Sequence, residues 1–260
     1  MLRSLKELKG YSIRATDGEI GSIADFYFDD GVWLVRYVVV DTGKWLPGRQ
    51  VLLSPVSAGT PDWEEKSIPV HLTRNQVEDS PDIETDQPIS RQIERQLSSH
   101  YGWPVYWGDP FLSQGLAASP LGAAGVGPSV EAPPEETAEQ ATVTGDPHLR
   151  SLSEVLGYHL EATDGEIGKA DDFIVDDADW QVRYLVADTG SWLSSRKVVF
   201  AVQWVLAIEW KDARIHVDLT RDAIRSSPPF APSAPVNREY EVRLYDYYGR
   251  PSYWGGDKAK

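Results

Sequence analysis

The chain has 260 residues, enough for about two domains with cores of their own, and its 41% hydrophobic and 25% charged residues are ordinary for a soluble globular protein. A net charge of −15 sets it against the phosphates of nucleic acid and anionic lipid, and the lack of cysteine removes disulfides, thiolate nucleophiles and Cys-ligated zinc. No apolar run approaches the ~20 residues that span a bilayer, and Met1 to Lys9 has neither the apolar core nor the cleavage site of a signal peptide. The expectation is a cytoplasmic protein with no cofactor, no nucleic-acid partner and no membrane insertion.

Tyr11 to Thr16 alternates and meets Asp17-Gly18, a hairpin turn pair. Glu19 to Phe28 resumes as a strand with Ile20, Ile23, Phe26 and Phe28 facing inward, and Gly21 marks a bulge or tight bend within it. After the turn Asp29-Asp30-Gly31, the β-branched and aromatic run Trp33 to Val40 predicts the central strand. Asp41-Thr42-Gly43 turns the chain into Val51-Leu52-Leu53. Ser67 to Leu72 predicts a last, edge strand, because Pro69 cannot donate to a ladder. Thr73 caps a short helix over Arg74 to Asp79, and Ser90 caps a longer one over Arg91 to Ser99 with Ile93 and Leu97 on one face. An aromatic coda follows, with Tyr101, Trp103, Tyr106 and Trp107.

The series then recurs. Ala15 to Gly21 returns letter for letter at Ala162 to Gly168, an offset of 147 residues. The same offset carries Leu2-Arg3-Ser4-Leu5 to Leu149-Arg150-Ser151-Leu152, Val35-Arg36-Tyr37 to Val182-Arg183-Tyr184, and Asp41-Thr42-Gly43 to Asp188-Thr189-Gly190. Further on it carries Tyr106-Trp107-Gly108 to Tyr253-Trp254-Gly255 without a slip. A whole module is duplicated. The predicted domains are 1–109 and 149–256, each with a helix and a coda, and 257–260 is a tail. Residues 110–148 carry no Lys or Arg and are rich in Ala, Gly, Pro, Ser and Glu, the composition of a flexible linker. Neither repeat is basic, since each has more Asp and Glu than Lys and Arg.

The opening Gly10-Tyr-Ser-Ile13 to Asp17-Gly18-Glu19-Ile20-Gly21, repeated at Gly157 to Gly168, followed by a strand like Val35 to Val40, resembles the PRC-barrel domain. That family includes the cytoplasmic domain of the photosynthetic reaction-centre H subunit and the C-terminal domain of the ribosome-maturation factor RimM. The resemblance covers about residues 2–72 and 149–219. It implies an all-β fold, two small antiparallel β-barrels of about six strands each with short helical extensions. It also implies a docking or assembly role rather than catalysis.

Asp17, Glu19, Asp29 and Asp30, repeated as Asp164, Glu166, Asp176 and Asp177, supply the oxygen ligands that a divalent cation prefers, although Asp and Gly at turns equally serve local hydrogen bonding. Arg36 and Arg183, in apolar strands, point outward or pair with a carboxylate such as Asp41 or Asp25. None of His71, His100, His148, His159 and His216 recurs at the offset, and no Gly-x-Ser-x-Gly elbow is present, so no duplicated acid–base or nucleophilic site is expected. Three arrangements are open for the codas: folded on their own barrel, laid on the other copy, or exposed to a partner. Trp45 and Trp192, each beside a glycine turn, are the leading candidates for binding a protein partner, followed by Trp103, Trp107 and Trp254. The fused copies are expected to pair about a pseudo-twofold axis, with a homodimer also open. The function expected is a non-catalytic docking or assembly module. Its alternative is a small-ligand or cation binder using the acidic turns.

Overall fold

The computed structural model describes residues 1–83, 89–107, 149–190, 196–231 and 236–254. Residues 110–148, read from sequence as a linker, and Trp192 lie outside these. The first repeat runs β1 (Leu2–Ser4), α1 (Leu5–Leu8), β2 (Ser12–Ala15), β3 (Gly18–Asp29), β4 (Leu34–Asp41), β5 (Gln50–Leu53), β6 (Ser67–Pro69), α2 (Arg74–Glu78) and α3 (Arg91–Tyr101). The second runs β7 (Leu149–Ser151), α4 (Leu152–Val155), β8 (His159–Ala162), β9 (Gly165–Asp176), β10 (Val182–Asp188), β11 (Lys197–Ala201), β12 (Val205–Glu209), β13 (Arg214–Val217), α5 (Arg221–Arg225) and α6 (Arg238–Tyr248). The fold is mostly β with few helices. No helix among the described residues is long and apolar enough to cross a membrane.

Two compact units form, and they do not follow the repeat boundaries. One is Lys9–Ser151; the other joins Met1–Leu8 to Leu152–Lys260. In the first, the strand order is β5-β4-β3-β2-β6, with β7 also paired to β3. In the second, it is β11-β10-β9-β8-β13-β12, with β1 also paired to β9. Each unit therefore takes its extra strand from the other repeat. Leu2 stands opposite Asp176 and Ser4 opposite Ile174. At the offset position, Leu149 stands opposite Asp29 and Ser151 opposite Tyr27. Apolar burial holds both loans: Leu5 and Leu8 in one unit, and Leu149 in the other, are almost wholly buried.

The sheets differ from the expected all-antiparallel barrel. They are mixed, because β2 pairs with β6, and β8 with β13, in parallel. Both strand orders are open paths, and among the described residues this pairing forms no closed barrel. The parallel strand is the one containing Pro69, and it lies at the sheet edge, where a missing N–H costs least. Seven of the eight residues of β4 are buried, in keeping with a central strand of β-branched residues between β3 and β5.

The duplicated heptad builds the β2–β3 hairpin. Ile13 pairs with Gly21 and Arg14 with Glu19, so Ile20 is the extra residue of a bulge, and it points into the core at 1% exposure. The bulge presses β3 against the end of β4. A Cβ on Gly21 would stand 2.0 Å from the Asp41 carbonyl oxygen, and one on Gly168 would stand 2.0 Å from that of Asp188. Only glycine allows this approach.

Candidate functional site

Asp17 projects from the hairpin turn to the start of α2, where the Arg74 backbone N–H donates to its carboxylate at 2.8 Å. Thr73 closes the same end with a capping box, its hydroxyl accepting from Gln76 N–H while the Gln76 side chain accepts from Thr73 N–H. Arg74 is thereby fixed at the first helical position. Its side chain lies over Gly18 and under Trp45, with the guanidinium 4.5 Å from the indole centroid. Trp45 comes from the β4–β5 loop and is only partly buried. The result is a tryptophan and an arginine stacked at the surface and held from below by the hairpin. In the other unit Arg221 N–H donates to Asp164 at 2.7 Å, and Arg221 lies over Gly165.

The remaining acidic turn residues are not gathered. Asp29 accepts from the Gly31 and Val32 amides and pairs with Arg36 at 3.3 Å. Asp30 takes Arg150 Nε at 2.6 Å, and Glu166 takes His159 Nδ1 at 2.9 Å. Asp176 and Asp177 both receive the N-terminal ammonium, and Asp177 also receives Arg3. Glu19 is exposed on its strand. Among the described residues no three His, Asp or Glu side chains stand together as metal ligands.

Arg36 pairs with the carboxylate of Asp29, and its guanidinium lies 3.8 Å from the centroid of Tyr106. Arg183 likewise covers Tyr253, at 4.3 Å. These contacts draw each coda onto its own unit, the first of the three arrangements open to it. Trp103 Nε1 donates to Ser57 Oγ at 2.7 Å, and its ring stacks on Tyr101 at 4.2 Å. Trp107 lies edge-on to Tyr106 with the Arg91 guanidinium over it. Trp254 meets Tyr245 and Tyr253 edge-on, and Arg238 covers it at 4.2 Å. These three tryptophans are partly buried, and each is tied to neighbours in its own unit.

Beneath each coda lies a polar hub not anticipated from sequence. Glu94, in the first turn of α3, has no exposed surface. It accepts from Tyr37 at 3.2 Å and Tyr106 at 2.7 Å, and it pairs with Arg91 at 2.9 Å. Glu241 repeats the hub, accepting from Tyr184 at 2.6 Å and Tyr253 at 2.7 Å and pairing with Arg238 at 3.1 Å. Burial first, and the carboxylate next, push the Tyr37, Tyr106 and Tyr184 hydroxyls far above the usual tyrosine range. The signal lay in the offset, which carries Arg91 and Glu94 onto Arg238 and Glu241. A buried carboxylate with three donors satisfied in this way locks strand, helix and coda together.

Residues 2–70 match the family model described as the PRC-barrel domain. No curated protein matches the chain.

Proposed function

We propose, from the PRC-barrel domain at residues 2–70, that the chain is a non-catalytic docking module that presents the Trp45–Arg74 pair to a protein partner. The observation that carries this reading is the pair itself: a partly exposed indole stacked on the guanidinium of Arg74, whose backbone is anchored by the Asp17 carboxylate and the Thr73 cap. Trp and Arg are the residue types that most often anchor interfaces, and a pre-ordered pair loses little side-chain freedom on binding.

Residues 149–256 are, on the same reading, a second PRC-barrel copy. Three features support this: the gapless 147-residue offset, the recurrence of the Asp164–Arg221 contact, and the reciprocal loan of β1 and β7. Trp192 corresponds to Trp45 at the 147-residue offset in sequence and is proposed as the second anchor.

The test is affinity capture from the source cell with the full chain as bait, followed by the Trp45→Ala plus Trp192→Ala double variant. A specific protein held by the parent and released by the double variant is the expected result. Equal retention by both baits would refute the reading.

A further inference from the structure

Met1–Leu8 belongs to a unit otherwise made of Leu152–Lys260, and at Lys9 the chain passes directly into the other unit. The groups that seat the segment on β9 lie within its own eight residues. Its strand adds to the half of the β9 edge that β8 leaves open, in the register Leu2–Asp176, Arg3–Val175 and Ser4–Ile174. Arg3 meets Asp177 at 3.4 Å, and Lys6 meets Asp171 at 3.2 Å. Leu5 and Leu8, three residues apart on α1, are buried. Main-chain pairing gives such strand addition its affinity, and the side chains give it selectivity.

Asp172 shows what this edge requires. Its carboxylate accepts from the Ser4 hydroxyl, from the Lys6 backbone N–H at 3.1 Å and from the Phe173 backbone N–H at 2.8 Å. Two of these three donors arrive with the segment. Were the segment to leave, a part-buried carboxylate would keep one of them, and a stretch of β9 would lose its ladder partner. Asp177 would lose Arg3, in a chain whose net charge of −15 makes cationic replacements scarce.

The first repeat reads its added strand by the same rule. Arg150 Nε donates to Asp30 at 2.6 Å, and Ser151 Oγ donates to Asp25 at 2.6 Å. The 147-residue offset carries Asp30 to Asp177, Asp25 to Asp172, and Arg3-Ser4 to Arg150-Ser151. Leu-Arg-Ser is therefore recognised twice, each time by two aspartates at the same places. The chain's second such strand, Leu149–Ser151, is already seated on β3. The segment that fits a vacated β9 edge is thus the Met1–Leu8 of a second copy.

We infer that the β9 edge is a strand-reading site for a second copy of this chain, two copies exchanging Met1–Leu8 reciprocally to form a closed twofold dimer. Each copy supplies one donor segment and one acceptor edge, so reciprocal exchange leaves neither edge open. The contacts at β9 are the same in both forms, and concentration decides between them. A segment tethered near its own site has an effective concentration of the order of 1 mM, and a second copy competes as the total concentration approaches that value.

The chain has no cysteine, so an engineered pair reports the exchange alone. Asp177 N–H donates to the Met1 carbonyl at 2.9 Å. Leu2 and Asp176 are then the adjoining non-hydrogen-bonded pair, with Cα atoms about 4.5 Å apart and within reach of a disulfide. Leu2→Cys and Asp176→Cys together on one full-length chain are expected to oxidise to a linked monomer after refolding at about 10 µM, well below that effective concentration. Placed on separate chains that are mixed and refolded together, they meet only through exchange. The dimer linked between positions 2 and 176, identified by mass spectrometry, is expected to rise about tenfold or more between about 10 µM and about 1 mM. Adding Ser4→Asp to the donor chain sets a second carboxylate against Asp172 and is expected to reduce that dimer about tenfold. Leu2 and Asp176 are both partly exposed, and circular dichroism of each variant verifies its fold. No 2–176 dimer at about 1 mM, a yield indifferent to Ser4→Asp, or failure of the single-chain pair to close would overturn the inference. None of these outcomes bears on the Trp45 docking surface, whose test reads capture of a different protein.

Discussion

Gly21 lies against Asp41 so closely that a single added carbon would stand 2.0 Å from the Asp41 carbonyl oxygen. Main chain cannot swing aside as a flexible side chain does, so the β3–β4 ladder would have to part. Gly21→Ala and Gly168→Ala are each expected to cost about 3 kcal/mol or more. Urea unfolding read by circular dichroism checks this, and a loss below about 1 kcal/mol would show that the strands yield easily.

Tyr37 and Tyr106 share one acceptor, the buried Glu94 carboxylate. Tyr37→Phe is expected to cost about 1.5–3 kcal/mol, the range for a hydrogen bond to a charged group. Tyr106→Phe is expected to be non-additive with it, because loss of one donor changes what the other is worth. A double-mutant cycle measures the coupling, and strict additivity would show that the two hydroxyls do not act through Glu94.

The same hydroxyls set the alkaline limit of the protein. Tyr37 and Tyr184 are raised in the folded state mainly by burial, and Tyr240 and Tyr245 rise to about 12, again mainly by burial. A raised folded pKa favours the protonated form in the native state. Its stabilisation is complete below the unfolded value near 10 and is lost as pH rises through the folded one. Stability should therefore fall steeply above about pH 10, with tyrosinate absorbance appearing together with unfolding. Tyrosinate appearing in full while the native circular dichroism persists would contradict this.

Ala213 adopts a left-handed backbone conformation at φ 49°, as Lys66 does at φ 52° in the equivalent turn. Its N–H donates to Trp210 and its carbonyl accepts from His159, so the turn is held despite the cost. Ala213→Gly removes roughly 1–2 kcal/mol of strain against up to about 1 kcal/mol of added chain entropy. A gain of about 0.5 kcal/mol in urea unfolding is expected, and a loss would show that the methyl group packs usefully.

The strands were legible in the sequence because Val35 to Val40 and the turns around Asp17, Asp29 and Asp41 carry strong local preferences. The caps at Thr73 and Ser90 were legible for the same reason, and both are seen with their side chains accepting from the third helical N–H. Direction and ownership were not. Pro69 marks an edge whether its strand runs parallel or antiparallel. Leu2-Arg3-Ser4 fits either β3 or β9, because the two repeats present nearly the same partner. The Glu94 hub escaped because a glutamate on a helix reads as a solvated face, and only tertiary packing buries it. At the candidate site, the aromatic loop could be read from Trp45 beside Gly43, but the Arg74 beneath it depends on how α2 docks.

The exchanged opening strands bear on the order in which the protein can be made. Leu2–Ser4 is synthesised well before its partner in β9, which ends at Asp176. At ~5–20 residues per second, on the order of ten seconds or more pass before that partner is synthesised. The Lys9–Ser151 unit, meanwhile, lacks β7 until Leu149–Ser151 emerges. Neither unit can be finished before most of the chain exists, so the unpaired β1 strand and the open edge of β3 wait together during translation. On neighbouring ribosomes, the Met1–Leu8 segment of one nascent chain could complete the sheet of the wrong molecule.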